Sequence, residues 1–266
     1  MLGRGFKSSA CIAFVVATTI VMLQCGCKHA QSQDTSEESA SSQEKAMISL
    51  DSIHFDTSGW KISEKSKDTI RWEDGKPEFL SLHYFPVPPD IPCELGKLKE
   101  LRDCYRTAIG QAGGGLVSLD VLNVKVGTRE VPCLRNIVKV PQSPSGMLYI
   151  GSLTFPFADF SYVIKVQCFE EGITGMRDAV VADRLMGAGD VKLDPKTGGI
   201  LGWAQDPYEP SFKGPALKNQ SEDEKYDSQF PEHPLSRARA ILARASETVN
   251  LDDSVLSSPP FSGPQR

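Results

Sequence analysis

The 266-residue chain lacks the short patterns that identify common catalytic and metal-binding sites. Its four histidines include no HExxH pair, and its cysteines include no CxxC pair. Gly151 and Ser152 are not followed by the glycine that a nucleophile elbow needs. The glycines of residues 110–115 lack the Lys-Ser/Thr ending of a phosphate-binding loop. These absences argue against a metal site, a bound cofactor and catalysis by a recognisable active-site motif.

Positive charge is in deficit, with 29 lysines and arginines against 34 aspartates and glutamates and a net charge of -5. Such a chain has no general attraction for nucleic acid, so we expect no nucleic-acid partner. A long membrane-spanning run is missing as well. The apolar stretch at residues 9–23 is shorter than the roughly 20 residues that cross a bilayer, which argues against a permanent transmembrane helix.

The first 27 residues have the organisation of an export signal. Arg4 and Lys7 precede the apolar stretch, as in a secretory signal peptide. The stretch leads to Gly26 and Cys27, a small residue followed by a cysteine, as in the lipobox of bacterial lipoproteins. We expect acylation of Cys27, with simple cleavage or a retained anchor as the alternatives. The chain is then exported to the bacterial cell envelope and held at the membrane by its lipid.

Composition divides the remaining chain into three segments. Residues 28–46 are polar, have few core-forming side chains, and are interpreted as a disordered tether. Residues 47–205 are long enough for one domain with a substantial core. Residues 206–266 are rich in proline and charge, which predicts an irregular surface tail.

Periodicity within residues 47–205 predicts an α+β fold. Short strands come first, followed by a helix over 95–112 that ends at three glycines. Two antiparallel hairpins are expected next, over 116–140 and 147–168. A helix that opens at Thr174 follows, and its apolar stripe carries Met176, Ala179, Val180 and Met186. Both helices should pack on the sheet, giving an antiparallel sheet with helices on its faces, an α/β/α sandwich.

One short helix is predicted inside the tail, near residues 234–249. Pro234 suits the first helical position. An apolar stripe opposite several arginines is formed by Leu235, Ile241 or Leu242, Ala245 and Val249. Docking of this stripe on its own domain is favoured over docking on a partner, because water rarely tolerates an uncovered stripe.

The order of these elements resembles the PsbP-like family, which includes extrinsic photosystem II subunits and exported bacterial lipoproteins. The similarity covers residues 50–186 and rests on element order, the opening Gly59-Trp60-Lys61-Ile62, and the strand ending Tyr162-Val163-Ile164-Lys165-Val166. The resemblance implies an accessory or binding module more than an enzyme.

The strongest candidate site is the turn at residues 170–178. Helix-start amides near Thr174 and Gly175, assisted by Arg177, would contact an anion or a partner. The alternative is a purely structural turn, in which Thr174 caps the helix and the acids complement its dipole.

Export permits disulfides, and four cysteines lie in the folded segment. Cys93 with Cys104, and Cys133 with Cys168, are the two pairings considered, the second only if their strands are neighbours. Buried free thiols are the alternative.

Two classes of function remain. The first is a non-catalytic, lipid-anchored envelope protein that binds a protein or small molecule. The second is an exported hydrolase or transferase that uses scattered residues such as His83 with a carboxylate.

Overall fold

The computed structural model describes residues 48–264. The signal at residues 1–27 with Cys27, and the tether at residues 28–46, lie outside the described residues. Within the described part, no helix combines the length and apolar character needed to cross a membrane.

A seven-stranded antiparallel sheet forms the centre of the domain, with strand order β2-β3-β4-β8-β7-β6-β5. Its strands are β2 (Lys61–Lys65), β3 (Thr69–Glu73), β4 (Glu78–Phe85), β5 (Gly115–Val126), β6 (Arg129–Pro141), β7 (Met147–Pro156) and β8 (Ser161–Phe169). The predicted hairpins are confirmed, since β5 pairs with β6 and β7 with β8. Short strands outside this sheet are β1 (Ile53–His54), β9 (Lys192–Leu193), β10 (Ile200–Leu201) and β11 (Asn250–Leu251).

Helices cover both faces of this sheet. They are α1 (Leu98–Gln111), α2 (Met176–Ala188), α3 (Pro234–Thr248) and the short α4 (Asp253–Leu256). Cys133 of β6 belongs to the core that contains Leu242 of α3, whereas the next residue, Leu134, packs with Leu101 of α1. Consecutive strand residues point to opposite faces, so α1 and α3 lie on opposite sides of the sheet. The predicted α+β fold with helices on its faces is confirmed.

Helix α1 ends as its glycines predict. Gly113 has a φ of 85°, in the left-handed region that glycine adopts without strain. Its amide donates to the Gly110 carbonyl, and the Gly114 amide donates to the Ile109 carbonyl at 2.9 Å. These bonds satisfy carbonyls that the last helical turn leaves without partners.

The orientation predicted for α2 is wrong. Its expected apolar stripe points outward, with Met176 50%, Val180 38% and Met186 40% exposed. The buried stripe instead carries Val181 and Leu185, which pack in a small separate cluster with Tyr226. The helix that packs on β7 and β8 of the sheet is α3.

The irregular tail predicted for residues 206–266 is also wrong, because this segment is part of the domain. The helix expected near 234–249 spans Pro234–Thr248, and Leu235, Ala238 and Leu242 are buried in the main core. β11 pairs with β1 at the beginning of the described chain. The 206–217 segment packs against β5 so closely that a Cβ on Gly115 would overlap the Ala216 carbonyl. Residue 205 is therefore not a domain boundary.

The four cysteines of the domain are free thiols, so neither predicted disulfide is present. Cys133 lies in β6 and Cys168 in β8, and β7 runs between these strands. Two strand spacings, about 10 Å, exceed the reach of a disulfide. The Cys93–Cys104 pair is likewise unbridged.

Replacing Leu242 with alanine tests the packing of α3. Leu242 is fully buried against Gly151 of β7, and a Leu→Ala change at such a site removes about 2 to 5 kcal/mol of stability. Urea unfolding measures this loss. Glu247→Ala, on the exposed side of the same helix, is the matched control and should change stability little. Equal effects of the two substitutions would contradict the packing.

Candidate functional site

A groove of about 400 Å³ opens between the start of α2 and the turn that leads into α3. It lies where β8 ends and β4 begins, so the sheet supplies its floor. Six residues give the groove its apolar character: Pro77, Phe169, Ile173, Met176, Phe230 and Pro231. Ile173 and Met176 are 79% and 50% exposed, which leaves a large part of this apolar surface open to solvent.

Glu170 fixes the shape of the turn between β8 and α2. Its Oε1 accepts the Gly175 amide at 2.6 Å, and its Oε2 accepts the Met147 amide at 3.0 Å. Gly175, with a φ of 73°, is the residue that precedes the helix, whereas Thr174 donates its hydroxyl to Ser145. The predicted cap at Thr174 is therefore wrong. The predicted anion contact at Gly175 is filled by the chain's own carboxylate.

Arg177 does not face a ligand, contrary to the sequence prediction. Its side chain is 1% exposed, and its guanidinium donates to four groups of the domain. These are the Ser221 carbonyl at 2.7 Å, the Ser236 hydroxyl at 2.8 Å, the Asp223 carbonyl at 3.1 Å and the Asp227 carboxylate at 3.0 Å. Arg177 is a structural anchor that fastens α2 to α3 and to the segment between them.

Arg237 forms a wall of the groove together with a buried carboxylate. Its Nε lies 2.5 Å from Glu78 Oε2, and its Nη1 donates to the Glu232 carbonyl at 2.8 Å. Burial raises the pKa of Glu78, and the Arg237 charge opposes that rise. A second hollow of about 250 Å³ lies on the far side of this pair, beside Trp60 and Ile241. The charge of Arg237 is thus compensated within the domain.

His233 begins α3 at the rim of the groove. Its Nδ1 accepts the Leu235 amide at 3.2 Å, and its ring contacts Tyr149 edge-on at 5.5 Å. Burial, followed by the charges of Arg177, Arg237 and Arg239, lowers the pKa of His233 to about 3. The ring is therefore neutral at physiological pH, with its proton on Nε2 because Nδ1 is an acceptor.

Two exposed carboxylates remain beside the groove. Glu171 and Glu232 line it, and neither side chain forms an ion pair with any described residue. The arginines of the groove are neutralised by Glu78 and Asp227, so the uncompensated charge at the rim is negative. The groove thus presents apolar surface flanked by free acids.

A buried polar network beneath the groove holds its walls together. Glu222 is fully buried and accepts from Lys139 Nζ at 2.8 Å, the Tyr149 hydroxyl at 2.8 Å and the Asn219 amide at 2.7 Å. Sequence analysis missed this network because Glu222 stands in a charged stretch and its partners are distant along the chain. No local pattern distinguishes Glu222 from its exposed neighbours.

His83 lies away from the groove, on strand β4. Its Nε2 is 2.9 Å from the Ser81 hydroxyl, and its Nδ1 is 3.2 Å from the Thr69 hydroxyl. Neither ring nitrogen bonds a carboxylate among the described residues. Residues 48–264 also hold no cluster of three His, Cys, Asp or Glu side chains that would bind a metal. The pairing of His83 with a carboxylate, the example considered for an enzymatic site, is not formed among the described residues.

No protein-family model and no curated protein matches the chain. Among solved structures, the chain is similar to a protein of Bacteroides thetaiotaomicron, with 8% identity and a TM-score of 0.29. That alignment covers 46% of this chain and 39% of the other. It is also similar to the Ran-binding protein Mog1p of Saccharomyces cerevisiae, with 8% identity and a TM-score of 0.37, over 77% of this chain and 93% of the other. Similarity at this level identifies neither a family nor a function.

The lowered pKa of His233 predicts a specific loss of stability in acid. The unfolded chain protonates this histidine near pH 6.5, whereas the folded chain protonates it only near pH 3. Between these values the unfolded state holds more protons, so acidification favours unfolding. His233→Asn keeps a side-chain acceptor for the helix start and removes the titration. Between pH 7 and pH 5, the free energy of unfolding measured in urea should fall less for this variant than for the native protein. An equal fall in both proteins would contradict the lowered pKa of His233.

Proposed function

We propose that the chain is an exported, lipid-anchored envelope protein whose PsbP-like domain is a non-catalytic binding module. The groove binds a peptide segment of a partner, one with large apolar side chains next to basic residues. The observation that carries this proposal is the open apolar surface around Ile173 and Met176, beside walls whose buried charges are already paired.

Apolar burial supplies the affinity in this proposal. Ile173 precedes α2 and Met176 opens it, so both side chains stand over a floor formed by Phe169 and Phe230. Each apolar side chain that becomes fully buried contributes about 1.5 to 3 kcal/mol. A rigid groove of this kind accepts one or two aromatic or aliphatic anchors of a partner.

Charge selects the type of peptide. Glu171 and Glu232 carry carboxylates without ion pairs among the described residues, and they stand beside the groove. Lysine or arginine next to the apolar anchor would pair with them, whereas an acidic flank would be repelled. The partner segment is therefore apolar and basic.

The location in this proposal is supported by the first residues of the sequence. A basic start, a short apolar stretch, and Gly26 before Cys27 support export and acylation, and the polar 28–46 segment supports a tether. The anchor would keep the groove close to partners at the same membrane.

Ile173→Glu tests the groove. Fluorescence anisotropy with the full-length protein measures binding of a heptapeptide that has a Leu-Phe-Leu centre and lysine ends. We expect the substitution to weaken binding at least about tenfold, because it places a charge on the apolar contact. The same peptide with glutamate ends should bind the native protein more weakly.

Leu193→Glu is the matched control, since Leu193 is also an exposed apolar residue but does not line the groove. It should leave peptide affinity unchanged. Equal losses in both variants, or a preference for glutamate ends, would exclude the proposed groove.

The lipid anchor has its own test. Metabolic labelling with palmitate should mark the native protein and the Cys25→Ala variant, and should fail on Cys27→Ala. Label that persists on Cys27→Ala would overturn the assignment to that residue, whatever the groove binds.

A further inference from the structure

A row of polar side chains crosses the middle of the sheet on the face opposite α3. Strand register places Arg71 beside Ser81, Ser81 beside Lys165, Lys165 beside Ser152, and Ser152 beside Asn136. Residues in register on neighbouring strands point to the same face, so the five side chains form one line across β3, β4, β8, β7 and β6.

The row faces away from the main core. A Cβ on Gly151 would contact Leu242 of α3, and Val166 belongs to the same core. The next residue of β7, Ser152, and the preceding residue of β8, Lys165, therefore point to the other side of the sheet. Polar side chains on this side also include His83, Thr154 and Gln167 in the neighbouring rows, but β7 itself is not polar along its length. One row further along β7, Ile150 is buried and apolar, as is Leu148 beyond it. A face that was merely solvated would be polar along the whole strand.

The cation at the centre of the row has no counter-ion. Lys165 forms no side-chain hydrogen bond or ion pair with any residue of 48–264 although its side chain is partly buried. Ser152 and Asn136 likewise have side-chain donors without partners in this part of the chain. Arg71 is the second cation of the row; its Nε lies 3.8 Å from Glu73, and its guanidinium stacks on Phe79 at 3.8 Å.

His83 holds one side of the row in position. Ser81 donates its hydroxyl to the Lys165 carbonyl at 3.4 Å, so it accepts from His83 Nε2, while Thr69 donates to Nδ1. Burial, followed by the charge of Lys165, lowers the pKa of His83 to about 4, which keeps this ring neutral. Burial and the charge of Arg71 also lower the pKa of Lys165. Burial is the larger cause of both pKa shifts, and the neighbouring cation adds to it.

We infer that this row is an oxyanion site, which binds the phosphate or carboxylate group of a small molecule through Lys165, Ser152 and Arg71. Lys165 supplies the charge at the centre of the row, the Ser152 hydroxyl donates from the neighbouring strand, and Arg71 approaches from the other side. The site is separate from the groove and does not rest on the function proposed for it.

Titration calorimetry of the full-length protein with inorganic phosphate and with acetate tests this site. At least one of these anions should bind, and Lys165→Met should weaken that binding at least tenfold while Lys165→Arg retains most of it. Lys61→Met, on edge strand β2, is the control and should bind like the native protein. Melting temperatures of all variants identify any that fail to fold, in which case Ser152→Ala replaces Lys165→Met.

Two further arms identify the source of the anion. Vesicles of phosphatidylcholine with and without phosphatidic acid distinguish a lipid headgroup from a free anion, since a headgroup ligand would bind only the acidic vesicles in a Lys165-dependent way. Ile173→Glu should leave phosphate or acetate binding intact. Absence of binding to both anions and to the acidic vesicles, or equal binding by Lys165→Met and the native protein, would overturn the inference.

Discussion

The buried ion pair between Glu222 and Lys139 is the constraint on which the rest of the domain depends. Removing a carboxylate and an ammonium group from water costs several kcal/mol each, and close pairing with further hydrogen bonds is needed to offset that cost. Glu222 meets this need with Lys139, the Tyr149 hydroxyl and the Asn219 amide. Losing one partner of such a pair destabilises a protein by about 3 to 5 kcal/mol, so the 219–227 segment is firmly held on the sheet.

This fixed segment determines how α2 is rotated. Arg177 reaches the carbonyls of Ser221 and Asp223, and these bonds require its side chain to point inward. Val181 and Leu185 follow at four-residue intervals, so they become the buried stripe of the helix. Met176 and Val180 must then face solvent. The apolar side of the groove is therefore a geometric consequence of burying an arginine.

The strands and α1 could be predicted from sequence because their signals are local. Alternating apolar residues and the glycines at 113–115 specify a hairpin or a helix end within a few residues. The rotation of α2 was not predictable in this way. An amphipathic pattern treats Arg177 as exposed, whereas its four acceptors come from residues 44 to 59 positions later in the chain. The polar row was equally hidden, since Lys165 and Arg71 become neighbours only once the strand order is known.

The wrong prediction of a surface tail at residues 206–266 has a more general cause. Its proline and charge content was interpreted as a surface tail, on the assumption that charged side chains stay in water. Yet Glu222 is fully buried, and Arg239 reaches inward to bond Asp227 and the Glu222 carbonyl, each charge meeting an opposite charge or a backbone oxygen. Charge along a sequence indicates exposure only when no partner is available in space. Here α2, the sheet and α3 each contribute partners, so a segment with the composition of a tail forms part of the core and one wall of the groove.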